Sequence, residues 1–186
     1  MMTLSLRITA TAALLLLGLP NLAGAQTAGV HSDDNKFSLQ ASVGPTMIDG
    51  GHSLSAGVGY SPTPKLTFVL IAERDHLNYR DNGSSRFRGG TMLFVGGEVR
   101  FEPLTGKAVS PFVTAGLGAG IGRPNVAPGF EDRVTNSVRT QFVGGGVSVP
   151  LTEDVSVVAE ARFMLVHERD SVAGLFPVRA GIAWRF

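Results

Sequence analysis

The residues of this chain with reactive side chains are few, and their spacing withholds most chemistry. His31, His52, His76 and His167 are the only histidines. His167-Glu168-Arg169-Asp170-Ser171 begins like a zinc-hydrolase helix, in which two histidines four apart hold the metal and the glutamate acts as base. Ser171 stands where the second histidine is required, and the segment reads as a polar loop. Gly146-Val147-Ser148-Val149-Pro150 places a serine as a nucleophile elbow does, but Pro150 replaces the closing glycine and no helix pattern follows. Gly116, Gly118, Gly120 and Gly122 recur every second residue, which is strand parity and not the spacing that cradles a phosphate. Cysteine is absent, so there is no thiolate for catalysis or metal and no disulfide. No catalytic, cofactor-binding or metal residues are expected, and the chain reads as non-enzymatic.

The strongest constellation is ionic. Glu73, Glu98 and Glu160, with Arg100, Arg162, Arg179 and Arg185, fall on the polar side of alternating segments. Two carboxylates flanking a cleft would suit glycoside hydrolysis. The same parity, however, aims these groups into the interior of a narrow barrel, where opposite charges pair and close the lumen. An unpaired partner there costs about 3–5 kcal/mol, so the group is read as a charge network that plugs the lumen. Which arginine meets which glutamate does not follow from sequence.

The elements that must position these groups begin with the termini. Residues 1–25 carry one charge, Arg7, then the apolar run Ile8 to Leu19, a break at Pro20, and Ala23-Gly24-Ala25 before Gln26. This is the pattern of a secretory signal peptide, too short for a spanning helix. Removing 25 of 186 residues leaves 161, one domain, in which the 16 basic residues less Arg7 balance 15 acidic ones. That neutrality leaves no electrostatic footprint for nucleic acid. Residues 26–36 read as a flexible periplasmic lead, and residues 37–186 as the folded unit.

Eight segments of that unit alternate apolar and polar side chains with a period of two, the signature of strands with one face in lipid. They are Phe37 to Gly44, His52 to Tyr60, Lys65 to Arg74, Gly90 to Glu102, Pro111 to Gly122, Val138 to Val149, Asp154 to Val166 and Val178 to Phe186. In the last, Val178, Ala180, Ile182, Trp184 and Phe186 share one face and Arg179, Gly181, Ala183 and Arg185 the other. The third has Val69 and Ile71 opposite Leu66, Phe68, Leu70 and Ala72, which leaves its register open. Short Pro-containing joins at residues 61–64 and 150–153, and an intermediate one from Pro103 to Ser110, contrast with the longer polar stretches Asp75 to Gly89, Arg123 to Ser137 and His167 to Leu175, while Pro45 to Gly51 breaks the trend by being short. Short periplasmic turns and long external loops are the habit of outer-membrane barrels, with both termini in the periplasm. A bilayer accepts only helices or closed barrels, and no mature segment approaches 18 uninterrupted apolar residues. A soluble sandwich or lipocalin-like barrel alternates in the same way. The signal peptide, the aromatic end and inward positions of Gly, Ser, Thr and charge favour the membrane form.

Two segments carry a resemblance. Arg179, Gly181, Trp184 and Phe186 resemble the assembly signal of bacterial outer-membrane proteins. Ser110-Pro111-Phe112-Val113-Thr114-Ala115-Gly116-Leu117-Gly118-Ala119-Gly120 is similar to a strand common in the small outer-membrane β-barrel family, relatives of the outer membrane protein A barrel and the opacity proteins. The resemblance implies an all-β, eight-stranded antiparallel transmembrane up-and-down β-barrel. It implies insertion by the barrel-assembly machinery, outer-membrane lipid and lipopolysaccharide around it, and a monomer in the cell outer membrane. The expected role is structural or one of surface interaction through the external loops. Some barrels of this size modify lipid A, and a deacylase of that kind carries a His-x-Ser motif. The nearest match here, His52-Ser53-Leu54-Ser55, has the wrong spacing and lacks the following Asn. The alternatives are thus a lipid A-modifying enzyme and a small-solute pore.

Overall fold

In the computed structural model, residues 36–47, 50–78, 80–81, 86–87, 89–104, 108–124, 136–168 and 171–186 are described. The expected signal peptide, and the amino-terminal lead apart from Lys36, lie outside them. The described residues form β1 (Phe37–Thr46), β2 (Gly51–Thr63), β3 (Leu66–Leu77), β4 (Arg80–Asp81), β5 (Arg86–Phe87), β6 (Gly90–Phe101), β7 (Ser110–Pro124), β8 (Asn136–Pro150), β9 (Val155–Glu168), β10 (Ser171–Leu175) and β11 (Val178–Arg185). β4 and β5 pair only with each other. All other pairings are antiparallel and run β1-β2-β3-β6-β7-β8-β9, then β10 and β11, and β11 returns to β1. The sheet closes on itself as an eight-stave barrel. Closure leaves no unpaired edge, which is the condition for crossing hydrocarbon.

At the seam, Ser38 faces Arg185 and Val43 faces Ala180. Phe37 and Phe186 exchange backbone hydrogen bonds of 3.2 and 2.9 Å. The wall obeys the period of two. Leu39, Val43, Leu54, Val58, Phe68, Leu70, Val95, Val99, Val113, Leu117, Val143, Ile182 and Trp184 are all exposed, with charged, small and buried apolar residues on the opposite face. An exterior this apolar around a charged interior suits lipid, not water. Aromatics gather at the end of the barrel that holds the chain ends. There Phe37 lies 5.4 Å from Tyr60 and 6.4 Å from Phe186, and Trp184 lies 5.3 Å from Phe186.

One feature settles what the sequence reading left open, and two differ from it. Val69 and Ile71 of β3 point inward and are buried, which resolves the open register in favour of Leu66, Phe68, Leu70 and Ala72 outside. Asp75 belongs to β3, not to a loop. The stretch His167 to Leu175 is not a long loop either. β9 continues to Glu168, and β10 pairs back on it with Leu175 opposite Met164, in the same register that sets Val178 opposite Ala161. The last stave therefore runs from Ser171 to Arg185. Pro177, which has no N–H to give, interrupts its ladder, while the Pro177 carbonyl still accepts a 3.0 Å bond from the Arg162 amide.

Glycines make room for the aromatic side chains of the lumen. A methyl group on Gly116 would overlap the Phe142 ring and the Gly97 carbonyl, and one on Gly118 would sit 2.8 Å from the Phe94 ring. The glycine row of β7 is thus a trough into which Phe94 and Phe142 pack from the neighbouring staves β6 and β8.

Candidate functional site

The inward side chains fill the lumen with two apolar clusters and a set of paired charges. Ile71, Leu77, Met92, Phe94, Val138, Phe142, Met164, Val166 and Leu175 form one buried apolar cluster with Val69, which runs from the level of Glu98 to the end carrying the longer connections. Toward the other end, Phe112, Val158 and Ala183 form a second. The charged side chains are set among these apolar ones: on β3, Glu73 and Asp75 lie between Ile71 and Leu77, and Glu98 of β6 faces Val69 in register while Phe94 faces Glu73.

Parity on four staves delivers the members of the charge network: Glu73 from β3, Glu98 and Arg100 from β6, Glu160 and Arg162 from β9, and Arg179 from β11. β3 and β9 lie four staves apart in the ring, as do β6 and β11, so the network ties opposite walls together. Arg162, only 1% exposed, is the hub. Its guanidinium contacts Glu98 at 2.5 Å, Glu160 at 3.1 Å and Glu73 at 3.6 Å, and it lies 4.8 Å above the Phe142 ring. Arg179 bridges Glu73 at 2.5 Å and Glu160 at 2.8 Å. Arg100 reaches Glu98 at 3.3 Å and Glu160 at 3.9 Å, and covers Phe112 at 4.4 Å. Every glutamate therefore meets at least two guanidiniums. Sharing of this kind is what makes buried charge tolerable, since the desolvation cost of each ion must be offset by several partners.

Arg185 stands apart from this group. It pairs with Glu102 at 3.4 Å near the mouth at the chain ends, where its side chain is 21% exposed. Two members were absent from the sequence-derived set. Glu102 is buried as the partner of Arg185, and Asp75 is buried beside the network as a fourth carboxyl against three guanidiniums. Asp75 was legible in principle, since it lies two residues beyond Glu73 on the same face. Of the remaining sequence candidates, Gly181 packs so closely on β1 that a methyl there would overlap the Ala41 carbonyl. Trp184 and Phe186 face outward.

The histidine and serine candidates do not converge. His52 is exposed on the outer wall, whereas Ser53 is fully buried in the lumen and donates to Glu73 Oε1 at 3.2 Å. Ser55 also faces inward, 2.8 Å from Ser42. Ser148 is buried on the inner face of β8. The segment from His167 contributes to a hairpin and not to a helix, and among the described residues no group of three His, Cys, Asp or Glu is arranged to hold a metal ion.

No family model matches this chain, and no curated protein matches it in sequence. Solved structures do match in three dimensions. Neisserial surface protein A superposes with a TM-score of 0.63 at 18% identity, covering 81% of this chain and 97% of that one. The fold is that of the small bacterial outer-membrane barrels. The amino-terminal barrel domain of OprF from Pseudomonas aeruginosa gives 0.59 at 15% identity, over 82% of this chain and 98% of its own. Ail of Yersinia pestis, in a phospholipid bilayer nanodisc, gives 0.50 at 14% identity, over 82% and 100%. With this fold, an apolar outer wall and an ion-paired interior, the chain is an integral outer-membrane barrel. Its longer connections lie at the end that such barrels turn outward.

Proposed function

We propose that this outer-membrane barrel is a non-enzymatic monomer with a structural or surface-interaction role, exercised through the segments joining β3 to β6 and β7 to β8. The observation that carries this reading is the filled lumen: paired charges packed among buried apolar side chains. A channel of this width is filled by its own side chains. That argues against the pore alternative. The separation of His52 from Ser53 and Ser55 onto opposite faces of β2 argues against the lipid A-modifying alternative, because a base must reach its nucleophile by hydrogen bond. Recognition then belongs to connections held on a rigid scaffold.

Planar-bilayer recording is the first test, and a large steady conductance from the wild type would restore the pore. The second replaces residues 78–89 or 125–135 with a short turn. Folding, read by heat-modifiable migration in electrophoresis, is expected to persist while whatever surface binding cells show on expression of the barrel is lost. Lipid A mass spectrometry with and without expression is expected to show no gain or loss of an acyl chain.

A further inference from the structure

The outer wall is not uniformly apolar, and its polar residues are concentrated at one end and carry one sign of charge. On β2, β3, β6 and β7 a single cross-strand row runs His52, His76, Thr91, Arg123, each facing the next in register. All four lie on the outward face, and Arg74 lies on the same face of β3, two residues below His76. The His52 and His76 rings are 5.0 Å apart, and His76 Nδ1 is 3.3 Å from Thr91 Oγ1. Further round, Arg139 faces His167 in register, and Gln141 Nε2 is 3.0 Å from His167 Nε2.

Arg74, Arg123 and Arg139 are exposed, and among the described residues none has a carboxylate partner. The buried strand carboxylates Glu73, Asp75, Glu98 and Glu160 all face the lumen, and no described residue of the outward strand faces is acidic. Directly below the basic row the wall presents Leu54, Leu93 and Ile121, and farther down Leu70 and Leu117, all exposed. The opposite rim carries aromatics together with exposed ions of both signs, Lys36, Lys65, Glu153 and Asp154, in its turns. A bilayer with like leaflets gives no reason for such an asymmetry. A leaflet of phosphorylated glycolipid does, because arginine forks match phosphate oxygens and the leucines below match acyl chains.

We infer that the outward row of Arg74, His76, His52 and Arg123 is a docking site for the phosphate-bearing headgroup of a glycolipid of the outer leaflet, lipid A. Arg74 and Arg123 engage phosphate oxygens, and Thr91 and the two imidazoles hydrogen-bond to the sugar and phosphate between them. β7 lies two stave spacings from β3, roughly 10 Å, a span suited to one headgroup and not to two separate lipids. The placement is cheap in hydrocarbon terms, since a charge near the interface costs far less than one at mid-depth. The inference rests on the reading that the end with the longer connections faces the cell exterior.

The test uses the full-length barrel purified in detergent and incubated with micelles of bisphosphorylated lipid A, dephosphorylated lipid A or phosphatidylglycerol. Bound lipid per barrel is counted by native mass spectrometry. The wild type is expected to retain bisphosphorylated lipid A in preference to both others. Arg74→Gln and Arg123→Gln are each expected to weaken retention about five-fold, and together about twenty-five-fold, the size of a single cation's contribution at an anionic surface. Arg74→Lys keeps the charge and should fall between, while Lys65→Gln at the opposite rim should change nothing. Heat-modifiable migration checks that each variant is folded. Equal retention of the three lipids, or unchanged retention in the double variant, overturns the site. Protease treatment of intact cells separates the two readings. Cleavage between residues 78 and 89 without lipid preference sinks the docking site alone, whereas protection of that segment sinks the orientation beneath it.

Discussion

Replacing Arg162 with Met is the sharpest probe of the lumen. Arg162 touches Glu73, Glu98 and Glu160 and covers Phe142. Without it, four buried carboxyl groups, Glu73, Asp75, Glu98 and Glu160, face only Arg100 and Arg179. Removing one partner from a buried ionic group costs about 3–5 kcal/mol, and the lost contact with the aromatic face adds about 1 kcal/mol. Glu160→Gln perturbs the same place with the opposite sign, leaving three carboxyl groups for three guanidiniums. Its cost reduces to weakened hydrogen bonds, about 1–3 kcal/mol. The arginine variant should therefore be the less stable of the two, and adding Glu98→Gln to Arg162→Met should return about 1–3 kcal/mol through coupling between contacting groups. Urea unfolding of the barrel in lipid vesicles, followed through Trp184, the only tryptophan, reads these differences. Equal losses for Arg162→Met and Glu160→Gln, or strict additivity in the double variant, would mean that the contacts do not act as a network.

Asp75→Asn removes the fourth carboxyl, whose oxygens have no hydrogen-bond partner of good geometry. It should leave stability unchanged or raise it by up to about 1 kcal/mol in the same unfolding assay. Gly116→Val drives a branched side chain into Phe142 and should cost about 1–3 kcal/mol by overpacking, with part of the loss recovered by Phe142→Leu. Phe186→Asp lies at the rim, where an acidic group costs little in depth. Its effect should appear as less folded protein in outer-membrane fractions during assembly, not as a lower unfolding midpoint once the barrel has formed.

Parity made most of this architecture legible. Alternation alone assigns Glu73, Glu98, Arg100, Glu160, Arg162 and Arg179 to the interior, because no other placement keeps charge from hydrocarbon. It fails where the interior is itself apolar. Val69 and Ile71 blur the β3 pattern because they belong to an apolar cluster inside the lumen. Asp75 and the segment Ser171 to Leu175 look like loop in the sequence for a related reason: polar residues next to turn formers look alike whether they extend a strand or leave it, and Pro177 resembles a boundary when it is only a missing ladder bond. The pairing of charges across the lumen depends on how far the staves are sheared on closure, a property of the ring and not of any one strand.

Glu73 and Arg179 meet across the barrel although 105 residues separate them in the chain, and Arg179 belongs to the last stave. A partly inserted sheet of early staves would hold Glu73 and Glu98 on its concave face with only Arg100 to answer them. Neither carboxylate gains its full set of counter-ions until β9 and β11 arrive. The charges that make the finished barrel rigid thus make every incomplete one uncomfortable in the bilayer, which ties insertion to the delivery of the final strand and gives the chain a built-in preference for entering the membrane whole.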